Sequence, residues 1–89
     1  MDNINLERLN ISINMITKRN GLTSNLVRGK EYKITIYDGA ELLFTIDAHG
    51  THKETSKDTE FTKKIVEFMH GIYTNEIQLI DPAELGRNK

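Results

Sequence analysis

The segment DAHGTHKETSKD, residues 47–58, carries the side chains of this chain that are best suited to bind a ligand. It holds two of the three histidines, His49 and His52, and neutral imidazole is a common zinc ligand. A neighbouring carboxylate would supply a third ligand, but no HExxH motif or other specific zinc spacing occurs. The remaining histidine, His70, falls on the outer face of a predicted helix. We therefore predict no bound metal and no cofactor.

The same segment suits a phosphate group if a helix begins near its end. Free backbone N–H groups at a helix start attract anions, and nearby lysines would add positive charge. The glycine-rich pattern of a phosphate-binding loop is absent, and acidic residues compete electrostatically, so phosphate binding is an alternative prediction. The residues that would bind the ligand are His49, His52, Lys53, Thr55, Ser56 and Lys57.

No pattern in the sequence indicates an enzyme. The chain has no cysteine, and none of its serines lies in a GxSxG motif. The His49-Gly50-Thr51 triplet resembles half of the paired HxT motifs of some phosphoesterases, but it occurs once. No spacing singles out a pair of carboxylates for acid–base catalysis. We therefore expect a protein that acts by binding.

Positive charge is concentrated in the first third of the chain. Residues 1–33 carry six basic and three acidic residues, a net charge of +3, whereas residues 34–89 have a net charge of −4. A basic surface with an exposed tyrosine, Tyr32 or Tyr37, would bind nucleic acid through phosphate contacts and base stacking. No recognised nucleic-acid-binding motif is present, so this is a second alternative. Its residues would be Lys18, Arg19, Arg28, Lys30 and Lys33.

Two elements are clear from the spacing of apolar residues. Residues 57–70 predict a helix that begins at a cap, Thr55 or Ser56, and ends before Gly71. Its apolar stripe comprises Phe61, Ile65, Phe68, Met69 and Ile72.

Residues 31–48 predict a β-hairpin from their alternating apolar pattern. A two-residue turn would place the apolar residues of the two strands on opposite sides. A three-residue loop with Gly39 in the left-handed conformation places them on one face and is therefore preferred. This loop would pair Ile36 with Ala40, Ile34 with Leu42 and Tyr32 with Phe44.

Residues 3–19 suit either a helix or a strand, and we favour the helix. The segment is long, and Asn20-Gly21-Leu22 is typical of a helix end. As a helix it has one apolar stripe through Leu6, Leu9, Ile13 and Ile16. A second stripe, Ile4, Ile11 and Met15, lies on the opposite side, where an exposed apolar surface usually marks a protein interface.

The tail adds a short predicted strand at residues 76–80 and one helical turn that opens at Pro82. The predicted fold is a small α+β domain, residues 1–89, in the order α-β-β-α-β, with an antiparallel hairpin packed against two helices. Eighty-nine residues leave room for a single core. The net charge of the chain is −1.

No apolar run approaches the length of a membrane span, and no secretory signal is visible, so we expect a cytoplasmic protein with no membrane partner. Its size and its isoleucine-, asparagine- and lysine-rich composition would suit an accessory protein of a virus or mobile element.

The predicted function is non-catalytic: a small regulator, inhibitor or adaptor that binds another protein and forms a homodimer. Its interface residues would be Ile4, Ile11 and Met15. Nucleic-acid binding through residues 18–33, and ligand binding through residues 47–58, are the two alternatives.

Overall fold

A computed structural model describes residues 2–77 of the chain. The element order is α1 (Asn3–Arg19), β1 (Thr23–Arg28), β2 (Tyr32–Asp38), β3 (Glu41–Asp47), β4 (Gly50–Lys53) and α2 (Glu60–Tyr73). The predicted α+β class is confirmed: along the chain, one helix precedes four antiparallel strands and a second helix follows them. Of the predicted strand at residues 76–80, only Glu76 and Ile77 are described, and they form a bend. The predicted turn at Pro82 lies outside the described residues.

The first helix, α1, confirms the choice of helix over strand for residues 3–19. It begins after Asp2, whose carboxylate accepts a hydrogen bond from the Asn5 N–H at 2.8 Å. It ends where Gly21 adopts φ +71° and the Leu22 N–H donates to the Thr17 carbonyl at 2.8 Å. This is the glycine-terminated helix end that the sequence predicts.

The four strands form an antiparallel meander in the order β1-β2-β3-β4. The sequence-based prediction took the two outer strands for loops. In β1, Ser24 and Leu26 face the helices while Asn25 and Val27 face outward, so the alternation is present but mostly polar. The second outer strand, β4, is four residues long, which is too short for a periodic signal.

The turn between β2 and β3 differs from the three-residue loop that the sequence predicts. Asp38 pairs with Glu41, so the connection is the two-residue turn Gly39-Ala40, with Gly39 at φ +60°. An extra residue in β3, Leu43, then interrupts the pairing as a β-bulge. The bulge reverses the alternation of side chains beyond it.

The predicted strand register is wrong by four residues because of this turn and bulge. Ile36 pairs with Phe44 and Ile34 with Ile46, not with Ala40 and Leu42. Ile34, Ile36, Phe44 and Ile46 nevertheless share one face, as predicted. Leu42 does not, because it pairs with Tyr37 beyond the bulge, and Leu43 enters the core in its place. The bulge thus places apolar residues of β2 and β3 on one face of the sheet, which the sequence-based prediction had achieved with a longer loop.

The second helix, α2, begins and ends later than predicted. Its N-cap is Thr59, whose hydroxyl accepts a hydrogen bond from the Thr62 N–H at 3.2 Å, instead of Thr55 or Ser56. Gly71 lies inside the helix, and Asn75 adopts the left-handed conformation after its end, at φ +61°. The predicted apolar stripe is confirmed, since four of its members are buried and the fifth packs against them.

Both helices pack on the same face of the sheet and form one core with β2 and β3. In the described residues, the other face of the sheet has no element packed on it. None of the helices within residues 2–77 is long and apolar enough to cross a membrane. The buried apolar side chains are Leu6, Leu9, Ile13, Ile34, Ile36, Leu43, Phe44, Ile46, Phe61, Ile65, Met69 and Ile72.

Candidate functional site

The two histidines of residues 47–58 lie at a tight turn between β3 and β4 that Asp47 organises. Its Oδ1 atom accepts hydrogen bonds from the His49 N–H at 2.8 Å and the Gly50 N–H at 3.1 Å, and lies 3.3 Å from the His52 Nε2 atom. Partial burial raises the pKa of Asp47, but these hydrogen bonds outweigh it and hold the pKa below the ordinary value of 3.8. The contacts account for this turn without a ligand.

Lys53 of the same segment has a carboxylate partner. Its Nζ atom lies 2.5 Å from Oδ1 of Asp58, and this lysine holds the pKa of Asp58 below its usual range.

Lys57 and Thr55 share a second carboxylate, Glu41 at the start of β3. The Lys57 Nζ atom lies 2.8 Å from Glu41 Oε1, and the Thr55 hydroxyl donates to Glu41 Oε2 at 2.7 Å. The hydrogen bond from Lys57, and then that from Thr55, lower the pKa of Glu41, and the pKa of Lys57 is raised in turn. Sequence analysis missed Glu41 because its partner Thr55 lies fourteen residues further along the chain. Such a separation leaves no pattern in the local sequence.

The structure therefore divides the predicted ligand-binding residues between the two ends of the sheet. His49 and His52 lie at the β3–β4 turn, whereas Thr55 and Lys57 lie beside Glu41 and the β2–β3 turn. Ser56 is exposed and lies four residues before the first residue of α2, so the helix start is not where the phosphate hypothesis needs it. Within residues 2–77, no cluster of three or more histidine, aspartate or glutamate side chains could hold a metal ion.

The predicted basic surface is also divided. Lys18 and Arg19 lie in the last turn of α1, next to the start of β1. Arg28, Lys30 and Lys33 lie at the opposite end of β1, roughly 17 Å away along the strand. The Arg28 Nε atom is 3.3 Å from Oε1 of Glu7, which offsets part of the positive charge. No single patch therefore contains all five residues.

The tyrosines that could stack on a base lie on different faces of the sheet. Tyr32 packs against the core, and Tyr37 is half-buried on the face without helices. Neither is a fully exposed aromatic platform of the kind that single-stranded nucleic acids stack on.

The three predicted interface residues lie on the side of α1 that faces away from the core. Ile4 is 66% exposed, Met15 is 46% exposed, and Ile11 between them is half-buried. We call these three residues the α1 stripe. Two of its members, Ile11 and Met15, line an open groove of about 640 Å³ between α1 and β1. The stripe is thus an exposed apolar surface beside an outer strand of the sheet.

A second exposed apolar pair lies on α2 and was not predicted. Val66 is 52% exposed and Tyr73 is 47% exposed. The Tyr73 hydroxyl lies 3.0 Å from the hydroxyl of Thr51 in β4, so it already has a hydrogen-bond partner within the chain. Val66 has the exposure and chemistry of the α1 stripe on a different helix, which makes it a useful control position.

Comparison of the chain with models of known protein families, with curated protein sequences and with solved structures finds no significant match.

Proposed function

We propose that this protein acts by binding another protein, as a non-catalytic regulator, inhibitor or adaptor, and that it does so as a homodimer through the α1 stripe. The observation that carries the proposal is the exposure of Ile4 and Met15 on the face of α1 opposite its buried stripe. An isolated exposed apolar residue is ordinary, but a row of them along one helix usually marks an interface.

Burial of this row would supply stability that a chain of this size has difficulty providing by itself. Removing an exposed isoleucine or methionine side chain from water contributes on the order of 1–2 kcal/mol. Small domains bury a low fraction of their surface, and association stabilises the folded state by mass action. A homodimer is favoured over a chance contact because the stripe extends from the first turn of α1 to Met15, four residues before the helix ends.

The positions and ion pairs of the basic side chains argue against the two alternative functions. Lys53 and Lys57 have carboxylate partners within 3 Å, and the five basic residues are divided between the two ends of β1. Neither arrangement concentrates free positive charge at one place, which is what binding to phosphate or nucleic acid requires.

The test is the double substitution Ile4→Asp and Met15→Asp, which places a carboxylate at each end of the stripe. Because both side chains are exposed in the monomer, we expect the fold to survive, with an unchanged circular dichroism spectrum. We expect the dimer to dissociate at least 100-fold more readily, measured by sedimentation velocity over a concentration series. The matched control is Val66→Asp, an equally exposed apolar position on α2, which should leave the dimer intact.

Two results would contradict the proposal. A wild-type chain that stays monomeric at high micromolar concentration has no homodimer to explain. A dimer that survives the double substitution but dissociates in Val66→Asp uses α2 instead of α1.

A further inference from the structure

We infer that two copies of the chain join edge to edge, with β1 of one copy antiparallel to β1 of the second and the two α1 helices side by side. This arrangement rests on the proposed homodimer and specifies its geometry. It makes one continuous sheet of eight strands from the two four-stranded sheets. The two-fold axis stands perpendicular to the sheet near Leu26, in the middle of β1.

The first support is the character of β1 as an outer strand. It pairs with β2 over six residues, Thr23–Arg28, without a bulge and without proline. The opposite outer strand, β4, has four residues, one of which is Gly50. Proteins protect outer strands by making them short or by adding bulges and prolines, and β1 has none of these features. Within residues 2–77 no strand pairs with the outer edge of β1, so this edge is able to accept another strand.

The second support is that the same two-fold axis lies beside the middle of β1 and beside the middle of α1. The Ser24 hydroxyl donates to Asn14 Oδ1 at 2.7 Å, and Arg28 contacts Glu7. Residues 7 to 14 of α1 thus run alongside residues 28 to 24 of β1, which places the centre of the helix next to Leu26. An axis at Leu26 therefore sets the two α1 helices against each other centre to centre and antiparallel.

The third support is the spacing between the two helices. Because α1 contacts both β1 and β2, its axis runs near the gap between these strands, about 2.4 Å inside β1. Pairing of β1 with its copy places the two-fold axis about 2.4 Å outside β1. The two α1 helices are then about 10 Å apart, which is the distance at which helices pack through their side chains.

The fourth support is that the stripe and the charges of α1 are complementary to themselves in this orientation. Ile4 of one copy lies near Met15 of the second, and Ile11 lies near the axis. Asp2 at the start of one helix approaches Lys18 and Arg19 at the end of the other. Antiparallel helices also place their opposite dipole ends together. A parallel arrangement would bring like charges together at both ends.

Distances between spin labels test this geometry directly, because the chain contains no cysteine that would need to be removed. Single substitutions Asn25→Cys, Lys33→Cys and His52→Cys place a nitroxide on β1, β2 and β4, respectively. All three residues are exposed on the face of the sheet without helices. Edge-to-edge pairing predicts distances between equivalent backbone positions of roughly 8, 16 and 34 Å in that order, since strands are about 4.8 Å apart.

The outcomes separate this geometry from the proposed function. Strong dipolar broadening at Asn25, with distances that rise from β1 to β4, supports the edge-to-edge dimer. A dimer whose Asn25 labels lie farther apart than its His52 labels overturns the β1 pairing but leaves a homodimer through another surface. A chain that stays monomeric, with no dipolar coupling at any position, overturns both.

Discussion

At the residue scale, the contacts of Asp47 explain the conformation of the histidine-containing turn without a bound ligand. It accepts hydrogen bonds from two backbone N–H groups of the β3–β4 turn and contacts the His52 ring. Aspartate is favoured in such turns because its short side chain reaches the N–H groups two and three residues ahead. Each histidine ring has a carboxylate neighbour, since His52 contacts Asp47 and the His49 Nε2 atom lies 4.0 Å from Oε2 of Glu31.

We expect Asp47→Ala to lower the free energy of unfolding by about 1–2 kcal/mol, because two backbone donors lose their acceptor. Asp47→Asn should cost less, since the amide oxygen accepts the same bonds. Urea unfolding at pH 7 measures both variants. If Asp47→Ala proved as stable as the wild type, the carboxylate would not hold the turn together.

The same carboxylate also makes a pH-dependent contribution. The folded state lowers the pKa of Asp47 below its ordinary value of 3.8. The stability that Asp47 contributes is therefore present above pH 3.8 and is lost as the pH falls through the folded-state pKa. Between pH 7 and pH 3, we expect Asp47→Asn to lose less unfolding free energy than the wild type. An equal loss in the two proteins would contradict this assignment.

At the element scale, the helix ends show where local sequence signals succeed and where tertiary contacts override them. Gly21 ends α1 as predicted, at φ +71°. Gly71 looks like the same signal but lies buried inside α2. The reason is Ile77, whose side chain packs where a Cβ atom on Gly71 would lie, 2.6 Å from Cδ1. The glycine allows the chain to fold back over the helix.

We expect Gly71→Ala to change the free energy of unfolding by less than about 0.5 kcal/mol, because the gain in helix propensity is offset by the displacement of the Ile77 side chain. In the Ile77→Ala background the same substitution should stabilise α2 by about 0.5–1 kcal/mol, since the space is then free. Thermal unfolding of the four proteins completes the cycle. Equal effects of Gly71→Ala in both backgrounds would show that Ile77 does not occupy this position.

At the scale of the whole molecule, the orientation of the two α1 helices is open to a test at the two positions used above. The variant that combines Ile4→Asp with Met15→Lys places opposite charges together when the helices are antiparallel. We expect this variant to remain dimeric in sedimentation velocity, whereas Ile4→Asp with Met15→Asp becomes monomeric. Parallel helices would place like charges together in both variants, so the loss of both dimers would contradict the antiparallel arrangement.

Local sequence patterns are sufficient to predict the features that depend on short-range periodicity. The α+β class, the two helices with their buried stripes and the hairpin all follow from residues a few positions apart. The exposed side of α1 was also predictable, because the angle between helical positions does not depend on the rest of the fold.

Features that depend on contacts between distant residues are visible only in the folded chain. The register of the hairpin follows from a bulge at Leu43, and the partner of Lys57 is Glu41, in another element. The first strand, β1, is recognisable only once it pairs with β2 and packs against α1, since four of its six residues are polar. Such features arise when the whole core is assembled, because burial on one face of the sheet selects one pairing among several that the local sequence allows.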